Sequence, residues 1–200
     1  MPSKAQLADS SRLLCFVLNL NNTGRAAIDR WGLVPNGFGV HDLHHLPLVD
    51  RPRALVELVD RYVRRLRPAL VVLGQSITAG PMQSRLIAAV RRLLRRLRVK
   101  SIVRPVGEVA ATLLDPGDAR RRGALPERIV EAFFPELRDR LVTGTDRHRE
   151  REVYWRRAWH ALGLLLCELA KRKPFVAFAL SRRTVGRYHL LIAAGVPQTV

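Results

Sequence analysis

Acidic residues and lysine are scarce in this sequence of 200 residues. Only 17 Asp and Glu residues stand against 35 Lys and Arg residues, so the net charge is +18. Four of the basic residues are lysines and the other 31 are arginines. A surface that repels itself this strongly is best tolerated beside a polyanion, and nucleic acid is the partner we expect. An acidic protein surface or an anionic membrane is the rival partner.

Cysteine and long apolar runs are also scarce. The two cysteines, Cys15 and Cys167, lie in apolar segments and can form neither a disulfide framework nor a four-cysteine zinc site. No uncharged apolar stretch approaches the ~18 residues of a membrane helix, and the apolar run at 13–18 is too short for a signal peptide. We therefore expect a cytoplasmic protein that makes no membrane contact, with its thiols buried and reduced.

Apolar side chains are abundant enough for a globular core, at 48% of the residues. A chain of this length usually forms one domain. We predict a flexible N-terminal tail over residues 1–12, a single domain over 13–172 and a C-terminal extension over 173–200.

The spacing of apolar residues predicts an alternation of strands and helices. Strands are predicted at 13–20, 25–33, 37–46, 69–73 and 99–104, with an Asn-Asn-Thr-Gly turn at 21–24. Helices are predicted at 53–67, 82–97, 108–114, 126–137 and 149–171. This order predicts an α/β sheet that begins with antiparallel strands and continues through parallel crossovers.

Several of these segments resemble the RuvC-type Holliday-junction resolvases. They are the first strand with its Asn-Asn-Thr-Gly turn, the segment RALVELVDRYVRRLRPALVVLGQS, the helix, strand and short helix of 82–114, and the segment RRAWHALGLLL. The resemblance implies a ribonuclease H-like fold: a mixed α/β sheet with an antiparallel meander of three strands, then parallel strands, flanked by helices.

The resemblance also implies four positions that hold two divalent cations in the resolvases. In this sequence they are Asn19, Gln75, Arg157 and His160, and none is a carboxylate. Amides and a guanidinium do not offset the charge of two cations, so this comparison predicts a degenerate site without metal and a protein that does not cut nucleic acid. The amides could equally be ordinary strand ends, and His160 a core histidine.

The arginines are the predicted nucleic-acid contacts. No Asp or Glu lies between Arg85 and Arg104, whereas a solvated helix face normally mixes both signs of charge. We predict phosphate contacts without any cofactor. The predicted contact residues are Arg104, Arg120, Arg121, Arg122, Arg157, Arg182 and Arg183.

The segment HDLHH contains three possible metal ligands. On a strand His41 and His45 would share one face and His44 the other, and no cysteine accompanies them. The sequence therefore predicts no metal site there.

Three functions stay open. The first is a catalytically degenerate RuvC-like protein that binds branched or duplex nucleic acid, alone, as a homodimer or within a larger complex, with DNA expected ahead of RNA. The second is an active Mg²⁺-dependent endonuclease whose carboxylates lie elsewhere. Its candidates are Asp29, Asp42, Glu108, Asp115, Asp146 and Glu150. The third is a structural adaptor that binds acidic protein or structured RNA.

Overall fold

The computed structural model of the chain describes residues 12–29, 32–76, 80–121, 123–141 and 147–172, without the side chains of 147–153 and 172. The predicted tail, except Arg12, and the C-terminal extension, which includes Arg182 and Arg183, lie outside the described residues, and so does Arg122.

A six-stranded mixed sheet forms the centre of the described chain. Its strands are β1 (Leu13–Val17), β2 (Asn22–Asp29), β3 (Gly32–Leu33), β4 (Gly39–Asp42), β5 (Leu70–Gln75) and β6 (Lys100–Pro105). The strand order is β3-β2-β1-β5-β6, and β4 also pairs with β2. The pairs among β1 to β4 are antiparallel, whereas β1, β5 and β6 run parallel, as the sequence predicts.

Helices cover both faces of the sheet. They are α1 (Arg51–Leu66), α2 (Pro81–Arg96), α3 (Gly107–Leu113), α4 (Ala124–Ala132), a 3-10 helix (Pro135–Arg140) and α5 (Arg147–Arg172). The core on one face packs α1 and α2, and the core on the other packs α3, α4 and α5. In the described ranges, no helix has the length and apolar character to cross a membrane.

The central strand β1 is buried on both faces. Cys15 and Val17 belong to the core beneath α5, while Leu14 and Phe16 belong to the core beneath α1 and α2. This explains the continuous apolar run in the sequence, because a strand covered on both sides has no solvent-facing positions. Cys167 of α5 is buried in the same core as Cys15, and both are free thiols.

The helix α5 crosses β2 at very close range. A Cβ atom at Gly24 would lie closer than 3.0 Å to backbone atoms of Arg157 and Ala158. Only a residue without a side chain fits between this strand and this helix. The close crossing sets the position of the middle of α5 over the sheet.

Several predicted boundaries are wrong, since β1 ends at Val17 rather than at residue 20 and the strand predicted at 37–46 is only Gly39–Asp42. Asn22, Thr23 and Gly24 are strand residues paired with β4, so the chain turns earlier, within residues 18–21. The turn closes through Asn19, whose Oδ1 accepts a hydrogen bond from the Asn21 amide at 2.9 Å and whose carbonyl accepts one from the Thr23 hydroxyl at 3.0 Å. These side-chain bonds replace the positive-φ turn that the Asn-Gly composition predicts.

The helix predicted at 126–137 is broken. It ends at Ala132, and a 3-10 helix begins at Pro135. Proline lacks an amide proton and disfavours helical backbone at the preceding residue, so it interrupts the apolar periodicity that suggested one continuous helix.

Candidate functional site

A cleft of about 630 Å³ opens at the carboxyl ends of the parallel strands. Its floor is the end of β1, and its walls are the residues after β5 and β6, the start of α2 and the middle of α5. This edge is where open α/β sheets generally bind their ligands. The polar side chains that line the cleft are those of Asn19, Asn21, Ser76, Gln83, Arg156, Arg157 and His160.

The helix α5 supplies the charged wall of the cleft. Arg156, Arg157 and His160 are spaced by three and four residues, so one side of the helix presents all three. Arg157 Nη1 donates a hydrogen bond to Oδ1 of Asn22, a nearly buried residue at the start of β2. This bond holds the half-buried guanidinium at the cleft.

The electrostatics of this wall are set by burial and by the two adjacent arginines. Burial lowers the pKa of Arg157, and the neighbouring Arg156 lowers it further. Burial also lowers the pKa of His160 to about 4, with Arg156 and Arg157 as further causes. A histidine with this pKa is neutral at pH 7, so the wall carries two guanidinium charges and an uncharged imidazole.

The opposite wall is held by hydrogen bonds that involve no acidic side chain. Gln83, in the first turn of α2, donates from Nε2 to the carbonyl of Leu18 at 3.0 Å. Asn21 Oδ1 accepts a hydrogen bond from Arg51 Nη1 at 2.7 Å. These bonds tie the connection after β1 to α1 and α2, so the floor of the cleft is anchored on both sides.

The donors in the cleft do not fit a pair of divalent cations. Of the described residues that line it, none is Asp or Glu. Across the whole described part of the chain, no group of three or more His, Cys, Asp or Glu residues is arranged to hold a metal ion. Magnesium and calcium sites are built mainly from carboxylate and carbonyl oxygens, so the side chains of this cleft do not supply the ligands of a two-metal reaction.

Three of the four positions implied by the resemblance meet in this cleft. Asn19, Arg157 and His160 line it, but Gln75 does not. In the parallel pair of β1 and β5, Val17 lies beside Gly74, so the register places Asn19 beside Ser76. Because alternate residues of a strand face opposite sides, Gln75 faces the α1 and α2 layer and Ser76 takes the cleft position.

The predicted phosphate contacts are dispersed. Arg157 lies in the cleft, whereas Arg104, Arg120 and Arg121 do not line it. Arg104 donates to Glu168 of α5 at 3.3 Å and is two-thirds buried. Arg121 binds Glu127 at 2.6 Å, and Arg120 is exposed.

Arg156 and Ser76 are cleft residues that the sequence reasoning did not single out. Arg156 had a detectable signal, because it lies four residues before His160 on a predicted helix. No sequence pattern pointed to Ser76, because only the register of β1 against β5 shows that Ser76 rather than Gln75 reaches the cleft.

The described carboxylates of the active-nuclease alternative lie away from the cleft. Asp29 pairs with Arg12 at 3.7 Å, Asp42 with His44 at 2.7 Å, and Glu108 with Lys171 at 3.1 Å. Asp115 does not line the cleft. The side chains of Asp146 and Glu150 lie outside the described part of the chain.

Solved structures of resolvases are similar to this chain. The Thermus thermophilus RuvC structure matches with a TM-score of 0.51 and 12% identity, over 76% of this chain and 95% of RuvC. The T. thermophilus RuvC complex with Holliday junction substrate matches with a TM-score of 0.46 and 12% identity, over 76% of this chain and 94% of the RuvC chain. The fowlpox virus resolvase with substrate Holliday junction DNA matches with a TM-score of 0.49 and 15% identity, over 80% of this chain and 98% of the resolvase chain.

The first of these likenesses confirms the fold. At 12% identity it shows a RuvC-like, ribonuclease H-like architecture and nothing about activity. No protein-family model and no curated protein sequence matches the chain.

Proposed function

We propose that this protein binds duplex or branched nucleic acid in the cleft at the end of β1, and that it does not cut it. The observation that carries the proposal is the wall of α5, where Arg156 and Arg157 face the cleft and no described lining residue is acidic. DNA stands ahead of RNA only because the sequence resembles DNA-junction enzymes.

The chemistry of the cleft suits a backbone phosphate. A guanidinium presents a rigid fork of donors that binds phosphate oxygens in pairs, and Arg157 is already oriented by Asn22. His160 is neutral at pH 7 and can donate one ring N–H without adding charge. Because phosphate contacts carry no sequence information, binding is expected to depend weakly on sequence.

The affinity is expected to fall steeply with salt. If about six phosphates are neutralised, the logarithm of the binding constant falls against the logarithm of salt concentration with a slope near -5. The measurement is fluorescence anisotropy with a labelled duplex and a labelled four-way junction over a salt series. A slope near zero, or no binding to either DNA or to structured RNA, contradicts the proposal and favours the adaptor that binds acidic protein.

Strand cleavage is expected to be absent over a titration of magnesium and manganese. Two divalent cations would bring four positive charges beside Arg156 and Arg157, with Asn19 and Ser76 as the neutral neighbours. The assay is gel analysis of labelled junction and flap DNA at protein concentrations that saturate binding. Cleavage that a chelator abolishes would overturn this prediction and favour the active nuclease with carboxylates elsewhere.

A further inference from the structure

A second surface rich in arginine lies on the other face of the sheet. Between Asp60 and Glu108 the sequence has twelve Arg or Lys residues and no Asp or Glu. Most of these cations lie on the outer sides and ends of α1 and α2, where they are exposed. The cleft does not use them, since its charged wall is part of α5 in the opposite layer.

The shape of this surface is a groove between α1 and α2, which we call the α1–α2 groove. One depression of about 500 Å³ is lined by Arg92, Arg95 and Arg96 of α2 together with Val56 and Ala89. A second depression, of about 420 Å³, lies between the ends of the two helices. It is lined by Val63, Arg64, Arg67, Pro68, Leu97 and Val99.

The groove and the cleft lie at opposite edges of the sheet. The cleft opens at the carboxyl ends of the parallel strands, whereas α1 and α2 end where β5 and β6 begin. A helix of 16 residues, the length of α1 and α2, spans about 24 Å. One ligand site therefore does not include both the cleft and the far end of the groove.

Helix-end electrostatics explain only part of this charge. Cations in the last turn of a helix are favoured by the helix dipole, and each of these helices has two there. Arg64 is also paired with Asp60 at 2.8 Å. Arg92 precedes the last turn of α2, and no acid lies within four residues of it in sequence. Its repulsion with Arg95 and Arg96 stays uncompensated within the helix.

We infer that the α1–α2 groove binds a second nucleic-acid duplex, so that one molecule of this protein bridges two. The inference rests on the proposed function for the first duplex, which binds in the cleft. Binding of the second duplex in the groove does not depend on it. Exposed arginines in rows along a groove match the spaced phosphates of a duplex backbone. Because the contacts are to phosphates, the second duplex needs no particular sequence.

Other polyanionic or self-associating occupants fit the groove less well. An anionic membrane favours exposed apolar side chains beside the cations, but the exposed large apolar residues of the described ranges are Leu48, Val49 and Met82. Two of these, Leu48 and Met82, line the cleft instead. A second copy of the chain would bring two arginine faces together, and like charges repel. An acidic protein partner would need an exposed apolar interface core, whereas the apolar residues that line the two depressions are all buried or only partly exposed.

The test is a capture experiment with the full chain. A short duplex is immobilised, and a fluorescent second duplex is captured through the protein. The wild type is expected to capture it, and the variant Arg92→Gln, Arg95→Gln, Arg96→Gln to capture at least about tenfold less. The salt slope of the capture step should also fall by about 2.7, since each lost phosphate contact contributes ~0.9.

A matched variant controls for net charge. Arg53→Gln, Arg138→Gln, Lys171→Gln removes the same three charges from exposed positions outside the groove and is expected to capture normally. Circular dichroism melting of both variants checks that each is folded.

Each remaining outcome has a distinct meaning. Binding of a single duplex without capture of a second overturns the inference and leaves the proposed function intact. Failure of the wild type to bind any duplex overturns the proposed function itself. Undiminished capture by the groove variant shows that bridging comes from self-association of the protein, and stronger competition by polyglutamate than by duplex assigns the groove to acidic protein. Both results overturn the inference.

Discussion

Replacing Arg156 and Arg157 together by Gln is expected to weaken binding of a duplex in the cleft about 150-fold, or about 3 kcal/mol. Hydrogen bonds from a charged group contribute ~1.5–3 kcal/mol each, and this variant removes the two guanidinium groups that line the cleft. The measurement is the dissociation constant by fluorescence anisotropy at fixed salt. All proteins in this assay also carry Arg92→Gln, Arg95→Gln and Arg96→Gln, so that binding in the α1–α2 groove does not mask the effect.

Two comparisons make this result specific. Arg53→Gln with Arg138→Gln lowers the net charge by the same two units at exposed positions and should change the dissociation constant less than about threefold. Because Arg157 also bonds Asn22, the free energy of unfolding of the cleft variant must be measured beside its affinity. A stably folded cleft variant that binds as tightly as the wild type would refute the assignment of the cleft.

Gly24→Ala is expected to lower the free energy of unfolding by about 3 kcal/mol, at the upper end of the range for overpacking a core. The new methyl group would meet the backbone of Arg157 and Ala158 rather than a flexible side chain, so no rotamer change relieves the clash. The helix α5 has to move away from β2, and Arg157 moves with it. Urea denaturation measures the stability loss, and the weaker cleft binding follows from anisotropy.

Gly117→Ala is the matched control for this substitution. A Cβ atom at Gly117 would have no heavy atom within 4 Å beyond its chain neighbours, and its φ is not in the left-handed region. Its free energy of unfolding should change by less than about 0.5 kcal/mol, as for most surface substitutions. If Gly24→Ala is equally harmless, the close crossing of α5 over β2 does not constrain the fold.

The sheet and its order were predictable from the sequence because the buried strands leave local signatures. β1 and the first four residues of β5 are uninterrupted apolar runs, and α1 and α2 repeat leucine and valine at helical spacing. Two of the errors at boundaries also have local causes. Asn19 closes the turn with side-chain bonds that composition does not reveal, and Pro135 interrupts an otherwise helical pattern.

The cleft was less predictable because its residues are brought together by register and by distant pairs. A shift of one residue along β5 exchanges Gln75 for Ser76, and apolar patterning does not fix a strand to one residue at its end. Arg157 is bonded to Asn22, 135 residues away, and Arg104 to Glu168, 64 residues away. Such partners decide which arginines face a ligand, and they are visible only after folding.

The two buried cysteines allow the packing of α5 against the sheet to be measured by thiol alkylation. Cys15 lies on β1 and Cys167 on α5 within one core, and burial raises the pKa of both thiols. A thiol that is protonated and shielded from solvent does not react with an alkylating reagent. Alkylation therefore requires that α5 first detaches from β1. The rate of alkylation of the wild-type protein under native conditions measures how often this detachment occurs. A slower alkylation rate in the presence of a duplex would show that binding beside Arg157 stabilises the contact of α5 with the sheet.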